Sequence, residues 1–155
     1  MNQYIHPATE DDVRFIAANM RQADIEEAGA LGLSPLDALM LSHHHAIKSY
    51  TLISPDGEPI AITGVSPSSM GDVWGAIWLL GTGGIEKFPK TFLRNSIPVL
   101  DLLYEETGRT VFHNFAYAEN DLHLKWLRWL GFKFIRTVNL PPHDKDFVEF
   151  VRLRT

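Results

Sequence analysis

The sequence predicts a single α+β domain, residues 1–155, built on one largely antiparallel sheet. The chain has 155 residues, 45% of them hydrophobic, which is enough for one core and too few for two. The spacing of apolar residues changes from helical to strand-like and back along the chain. The resulting order is strand, two helices, three strands, helix, strand, helix and two strands. This order is typical of helices packed on an antiparallel sheet.

The first third of the chain is predicted to be mostly helical. A brief strand at residues 3–7 precedes Thr9, which can cap a helix whose first turn is acidic. A second helix begins after Ser34, where a serine cap is followed by proline in the first turn, and it runs to about Lys48. The segment between them, residues 25–33, is predicted to be partly helical.

The rest of the chain alternates strands with two helices. A Ser-Pro-Asp-Gly turn predicts a hairpin between the first two of these strands. Strands are predicted at residues 50–53, 59–65, 73–80, 109–117, 133–140 and 147–153, and helices at residues 88–106 and within 120–132. Pro98 lies inside the first of these helices and is expected to kink or divide it.

Composition and motifs exclude several classes of function. The absence of cysteine excludes disulfides, thiolate metal sites and a cysteine nucleophile. A net charge of -5 with 14 scattered Lys and Arg residues argues against a nucleic-acid partner. No apolar run approaches the roughly 20 residues that span a bilayer, and the first residues do not resemble a signal peptide. We therefore expect a cytoplasmic protein without a membrane span. Neither a serine-hydrolase elbow nor a phosphate-binding P-loop is present.

The predicted helix within residues 120–132 places a histidine among apolar residues. At 100° per residue, His123 falls between Leu127 and Leu130 on the apolar face. His123 is therefore expected to face the body of the protein. It is either a neutral core histidine, hydrogen-bonded to a backbone carbonyl or to Asn120, or a general acid or base.

Other histidines offer weaker candidates. Strand alternation puts His113 and Tyr117 on one face, where they either line a cleft or cover the sheet beneath a helix. The run of three histidines at 43–45 has no partner at the four-residue spacing that a helical zinc site uses. Solvated histidines near a helix end, where positive charge is favourable, explain this run better, and we expect no metal.

The succession of elements resembles the fold of the GNAT superfamily of N-acetyltransferases. In that superfamily an asparagine follows the fifth strand, and a Gly-Phe pair closes the next helix eleven and twelve positions later. Asn120, Gly131 and Phe132 reproduce this spacing. Gly131 can take the left-handed conformation that ends a helix, and Phe132 starts the next strand. The resemblance implies a bent, mostly antiparallel sheet of about seven strands with about four helices, and acetyl-CoA as cofactor if the protein is active.

The chain is also similar to acetyltransferase-like proteins of tailed phages. The similarity lies in Pro-Ala-Thr-Glu-Asp-Asp near the start, Trp-Leu-Leu-Gly-Thr at 78–82, Phe-Leu-Arg at 92–94, Asn114 and the segment from Asn120 to Phe132. These relatives include the small internal virion protein of short-tailed bacteriophages and its prophage relatives. The similarity implies virion or host proteins as partners, and a location in the bacterial host cytoplasm or packaged in the virion.

The catalytic pattern of the GNAT superfamily is altered in three places. The superfamily's pyrophosphate motif is not reproduced after the fourth strand, where Thr82, Gly83, Gly84 and Lys87 offer either a substitute anion cradle or an ordinary glycine loop. A tyrosine that protonates the departing thiolate is replaced by Leu127. The glutamate that often serves as base on the fourth strand is missing.

Two functions therefore remain open. One is a phage or prophage component with a reduced catalytic apparatus. The other is an active acetyl-CoA-dependent N-acetyltransferase acting on an amine of a small molecule or protein. Its candidate catalytic residues are His113, His123 and Tyr117, with a carboxylate of the early helices as an alternative base, and Thr82, Gly83, Gly84, Lys87 and Asn120 are the candidates for cofactor binding.

Overall fold

A computed structural model describes residues 3–155 of the chain. Met1 and Asn2, part of the segment compared with a signal peptide, lie outside the described residues. The strands are β1 (Ile5–Pro7), β2 (Lys48–Ile53), β3 (Pro59–Pro67), β4 (Trp74–Gly81), β5 (Val111–Tyr117), β6 (Lys133–Leu140) and β7 (Lys145–Leu153). The helices are α1 (Glu10–Ala18), α2 (Gln22–Ala30), α3 (Pro35–His45), α4 (Gly84–Lys87), α5 (Pro89–Thr107) and α6 (Asp121–Trp129).

The seven strands form one sheet in the order β1-β2-β3-β4-β5-β7-β6. All neighbouring pairs are antiparallel except β4 and β5, which are parallel. The predicted α+β fold class and seven-stranded sheet are therefore confirmed. The helix number differs from the predicted four, because residues 22–30 form a full helix and a single turn, α4, precedes α5.

Local signals account for most helix boundaries. Thr9 caps α1 in a reciprocal capping box with Asp12, and Ser34 caps α3 ahead of a proline in the first turn. Gly131, with φ of +91°, follows α6 in the left-handed conformation expected of it. Pro98 neither divides α5 nor ends it, since the helix is continuous over 19 residues.

Helices cover both faces of the sheet. On one face, α5 and α6 pack on Ile77, Leu79 and Phe112 in the largest apolar cluster. On the other face, α1, α2 and α3 pack on Ile62 and Leu80. In the described part of the chain, no helix has the length and apolar character needed to cross a membrane.

Candidate active site

The sheet splits between β4 and β5. These parallel strands pair only at residues 74–76 and 111–113. Just beyond the last pair, the side-chain amide of Asn114 donates to the carbonyl of Ile77 across 2.9 Å. Beyond Asn114, β5 remains paired with β7 but no longer pairs with β4, and β4 continues to Gly81 paired only with β3. The split thus leaves backbone groups of two strands facing a gap in the middle of the sheet.

Side chains from α2 and α6 meet through this gap. The Asn120 amide, at the start of α6, donates to Asp24 Oδ1 across 2.9 Å. One turn further along each helix, His123 Nδ1 lies 3.2 Å from Glu27 Oε1. Since α2 and α6 lie on opposite faces of the sheet, these two contacts pass through the split.

Asp24 is held by hydrogen bonds on both oxygens. Its Oδ2 accepts from the backbone N–H of Gly81 at 2.9 Å, while its Oδ1 accepts from Arg21 at 2.7 Å and from Asn120. Arg21 also donates to the Asn120 side chain at 3.2 Å. Burial raises the pKa of the Asp24 carboxyl, and the Arg21 guanidinium offsets part of that rise. We call the set of Arg21, Asp24 and Asn120 the clasp.

Glu27 uses only one of its oxygens. Its Oε1 accepts from the backbone N–H of Tyr117 at 2.7 Å and contacts His123. The hydrogen bonds that the structure shows for this carboxylate among residues 3–155 are both to Oε1. Asp24 and Glu27 thus satisfy one backbone donor on each side of the split, Gly81 on β4 and Tyr117 on β5.

His123 is buried, as its place on the apolar face of the helix predicts, and only 8% of it is exposed. Its partner is the Glu27 carboxylate rather than a backbone carbonyl or Asn120. Burial opposes protonation of the ring, but the charge and the hydrogen bond of Glu27, with the charge of Asp24, outweigh it and raise the pKa of His123. A carboxylate on Nδ1 fixes the ring so that Nε2 is free to exchange a proton.

Three neighbouring cavities with shared lining residues lie along the split. A groove of about 340 Å³ between α5 and α6 shares Ile85, Phe92, Leu122 and Trp126 with a narrow neck of about 10 Å³. The neck is lined by Arg21 and Asp24 of the clasp and shares Leu79 and His123 with a cavity of about 160 Å³. We call these the groove, the neck and the inner cavity. His123 lies where the neck meets the inner cavity.

Most backbone amides of the glycine loop after β4 are already hydrogen-bonded. The backbone N–H groups of residues 84–88 donate to acceptors within the loop, namely Thr82, Gly83 and Gly84, at 2.8–3.2 Å. The Thr82 hydroxyl also donates to the Ile60 carbonyl. Thr82, Gly83, Gly84 and Lys87 line a separate cavity of about 230 Å³ beside α1. The loop therefore has the hydrogen bonding of an ordinary turn rather than that of an open anion cradle.

The remaining predicted residues lie away from the inner cavity. His113 Nε2 lies 2.6 Å from the Ser68 hydroxyl, its ring packs edge-on against Trp74, and burial lowers its pKa. The Tyr117 hydroxyl donates to Glu119, which raises the pKa of that tyrosine. A catalytic role for His113 or Tyr117 stays a prediction, and neither side chain lines the three cavities.

The histidine run at 43–45 occupies the last turn of α3, as predicted. His43 contacts the Ser49 hydroxyl and His44 contacts Glu10, so the run joins α3 to its neighbours. Among the residues that the structure describes, no group of three or more histidines and carboxylates is placed to hold a metal ion.

The sequence did not single out Arg21, Asp24 or Glu27, although it allowed a carboxylate of the early helices as the base. Asp24 and Glu27 lie one turn apart in α2, and both are buried, which their charge argues against. Apart from Arg21, their partners are 57 to 96 residues away along the chain. One local pattern could have indicated them: Asp24 and Glu27 are three residues apart, on the same side of a helix that has few large apolar residues to bury.

Solved structures with the same fold are N-acetyltransferases. Spermidine N-acetyltransferase from Vibrio cholerae in complex with CoA and spermine is 14% identical, with 99% of this chain and 97% of that chain covered and a TM-score of 0.69. AAC(6')-Ib in complex with ribostamycin and coenzyme A is 17% identical, with 97% and 92% covered and a TM-score of 0.69. A GNAT-family acetyltransferase from Bacillus anthracis is 10% identical, with 96% and 93% covered and a TM-score of 0.68.

These likenesses establish that the chain has the GNAT fold. No family model and no curated protein matches the sequence. The resemblance to phage internal virion proteins is not supported by the solved structures.

Proposed function

We propose that the protein is an acetyl-CoA-dependent N-acetyltransferase that acts on an amine. The observation that carries this proposal is the succession of groove, neck and inner cavity through the sheet, with shared lining residues and with His123, the partner of Glu27, at the narrowest part. A path of this kind lets an acyl thioester enter from one face while an amine enters from the other. The coenzyme A named with two of the neighbours is consistent with such a thioester.

The residues present fit the acyl end of acetyl-CoA. The groove is almost wholly apolar, and Ile85, Phe92, Leu122 and Trp126 would hold the arm that carries the thioester. The glycine loop does not supply a pyrophosphate site in the conformation described, because its amides are already bonded. When bound, acetyl-CoA supplies an activated acetyl group, and the chain supplies proton transfer and orientation.

His123 is the base in this scheme, and Glu27 orients it. Because the pKa of His123 is raised, the ring acts as a base at a pH above its folded pKa, where it is neutral; Glu27 then holds Nδ1–H, and Nε2 takes a proton from the amine. The split-facing edge of β4 orients the acyl carbonyl. Ile77 and Gly81 both direct backbone groups into the split, and strand alternation places the N–H of Leu79 on the same edge. This N–H is the donor that polarises the carbonyl.

No tyrosine is available at the position of Leu127 to protonate the departing thiolate. The proton that His123 takes from the amine is available for that step, because the ring lies at the junction of the neck and the inner cavity. One residue therefore serves as base and then as acid.

Acetyl transfer is measured by the release of the CoA thiol with a thiol reagent. The chain contains no cysteine, so the protein gives no background signal. His123→Gln and Glu27→Gln are each expected to lower kcat by about 10²–10⁴-fold, the usual contribution of a general base. His113→Gln, outside the three cavities, is the matched control and is expected to stay within about twofold. Unchanged kcat in His123→Gln would refute the assignment of the base.

A second candidate is a virion or host-interaction component that does not catalyse acetyl transfer. The observation that favours it is the bonding of the glycine-loop amides, together with the leucine at position 127. Under this proposal acetyl-CoA at millimolar concentration does not raise the Tm, since a ligand that does not bind the native state cannot stabilise it. The partners would be phage virion or host proteins.

A further inference from the structure

The lining of the inner cavity indicates which kind of amine the protein acetylates, an inference that rests on the proposed function. It is lined mainly by apolar side chains from α2, α3, β4 and β5, and its polar groups are Glu27, Ser42, Asn114, His123 and the indole of Trp78, whose N–H is buried with no hydrogen-bond partner among residues 3–155. Leu31, at the end of α2, lines it and is 40% exposed, so an apolar side chain stands at the rim of the cavity. An amine with an apolar body therefore matches the lining.

Glu27 provides one site for one positive charge. It is the sole carboxylate in the lining of the inner cavity, and its Oε2 accepts no hydrogen bond from the described residues. Asp24, the nearest other carboxylate in the split, has both oxygens bonded and lines the neck instead. A second ammonium inside this cavity would lose its hydration without gaining a counter-charge, which is strongly unfavourable.

The size of the inner cavity sets a further limit. About 160 Å³ is less than the roughly 300–1,000 Å³ of sites for drug-sized ligands. Room therefore exists for an amino group with a short carbon chain, and a long polycation such as spermine does not fit within it.

We propose that the acceptor is a primary monoamine with a short apolar body, bound through its ammonium to Glu27 Oε2 and through its carbon chain to the apolar walls of the inner cavity. This acceptor class differs from the polyamine and the aminoglycoside that accompany two of the structural neighbours.

The test compares pentylamine with 1,5-diaminopentane, which have the same carbon chain and differ by one ammonium. In calorimetric titrations without acetyl-CoA, at a pH above the folded pKa of His123 at which both amines still carry their charges, pentylamine is expected to bind at least about tenfold more tightly. Glu27→Gln is expected to weaken pentylamine binding by about tenfold or more. A diamine that binds as tightly as pentylamine, or more tightly, overturns the inference.

A second carboxylate in the cavity should change the preference. Ser42→Asp adds one on α3 within the lining and is expected to reduce or reverse the advantage of pentylamine. Leu41→Asp adds the same charge at an exposed position of α3 outside the lining, and it is expected to leave the ratio of affinities unchanged. A ratio that both variants change equally also overturns the inference, since the effect would then be one of net charge.

These titrations separate the inference from the function on which it depends. Pentylamine binding without any acetyl transfer refutes the proposed function and leaves the amine site supported. Efficient acetyl transfer to 1,5-diaminopentane in preference to pentylamine supports the function and refutes the monoamine site.

Discussion

At the residue scale, the molecule is organised around a buried histidine and a buried glutamate. The sequence places His123 on the apolar face of α6, and the structure adds Glu27 from a helix on the other face of the sheet. Neither group is buried without a partner, as the cost of desolvating a charge requires. The pair joins the two faces of the domain at the split.

Removing one partner of this pair is expected to be costly. His123→Leu leaves the Glu27 carboxylate buried with only the Tyr117 N–H, and we expect the free energy of unfolding to fall by about 3 kcal/mol. A histidine that only filled space would tolerate the same change. Urea denaturation of His123→Leu, Glu27→Leu and the double variant measures the coupling. The double variant is expected to lose less stability than the sum of the single variants, whereas additive losses would contradict the pairing.

The same pair predicts how stability depends on pH. The pKa of folded His123 is raised above its unfolded value of about 6.5. Its contribution is therefore complete below the unfolded pKa and is lost as pH rises through the folded pKa. The stability difference between the wild-type protein and His123→Gln should shrink as pH rises above about 6.5. A difference that grows as pH rises would mean that Glu27 does not stabilise the protonated ring.

At the element scale, α2 shows what the sequence could not reveal. The helices α1, α3 and α6 are predictable because their caps and apolar faces are local signals, as at Thr9, Ser34 and Gly131. By contrast, α2 has a cap without a side-chain hydrogen bond, and its buried face includes Asp24 and Glu27. Its position depends on donors in β4 and β5 that are distant along the chain, so no local pattern indicates the clasp.

Two glycines in different elements are expected to respond oppositely to alanine. Gly29 is exposed in α2 with no atom within 4 Å of an added Cβ, so Gly29→Ala should stabilise the protein by about 0.5–1 kcal/mol. An added Cβ at Gly64 of β3 would lie 2.5 Å from Trp78 Cζ2 and 2.9 Å from the Lys48 carbonyl oxygen. Gly64→Ala should cost about 1–3 kcal/mol. Thermal denaturation of both variants measures these changes. Equal changes in the Tm of Gly29→Ala and Gly64→Ala would contradict the close packing of Trp78 on Gly64.

At the scale of the whole molecule, the fold and the site were predictable to different degrees. The order of elements and the spacing from Asn120 to Phe132 predict the GNAT fold, which the structure has. The site depends on the split between β4 and β5, which brings together residues of α2 and α6 that are 96 positions apart. His123 could be chosen from its helical face, but its partner and the three cavities exist only in the folded domain.

The central claim is that the groove, neck and inner cavity form the path of an acyl thioester through the sheet. The clasp must open for a thioester to pass, because the neck has a volume of only about 10 Å³ and is lined by Arg21 and Asp24, which are hydrogen-bonded to each other. Binding by this path must stabilise the native protein, and the stabilisation must depend on residues of the groove and neck.

The most direct test is the Tm of the protein with and without millimolar acetyl-CoA. The Tm of the wild-type protein should rise by several degrees, since a ligand at about 100 times its Kd stabilises the native state by about 2.7 kcal/mol. Leu122→Arg fills the junction of groove and neck and should abolish the gain, while Ile135→Arg, at an exposed position on β6, should retain it. An unchanged Tm in the wild-type protein, or an equal gain in Leu122→Arg, would contradict the account.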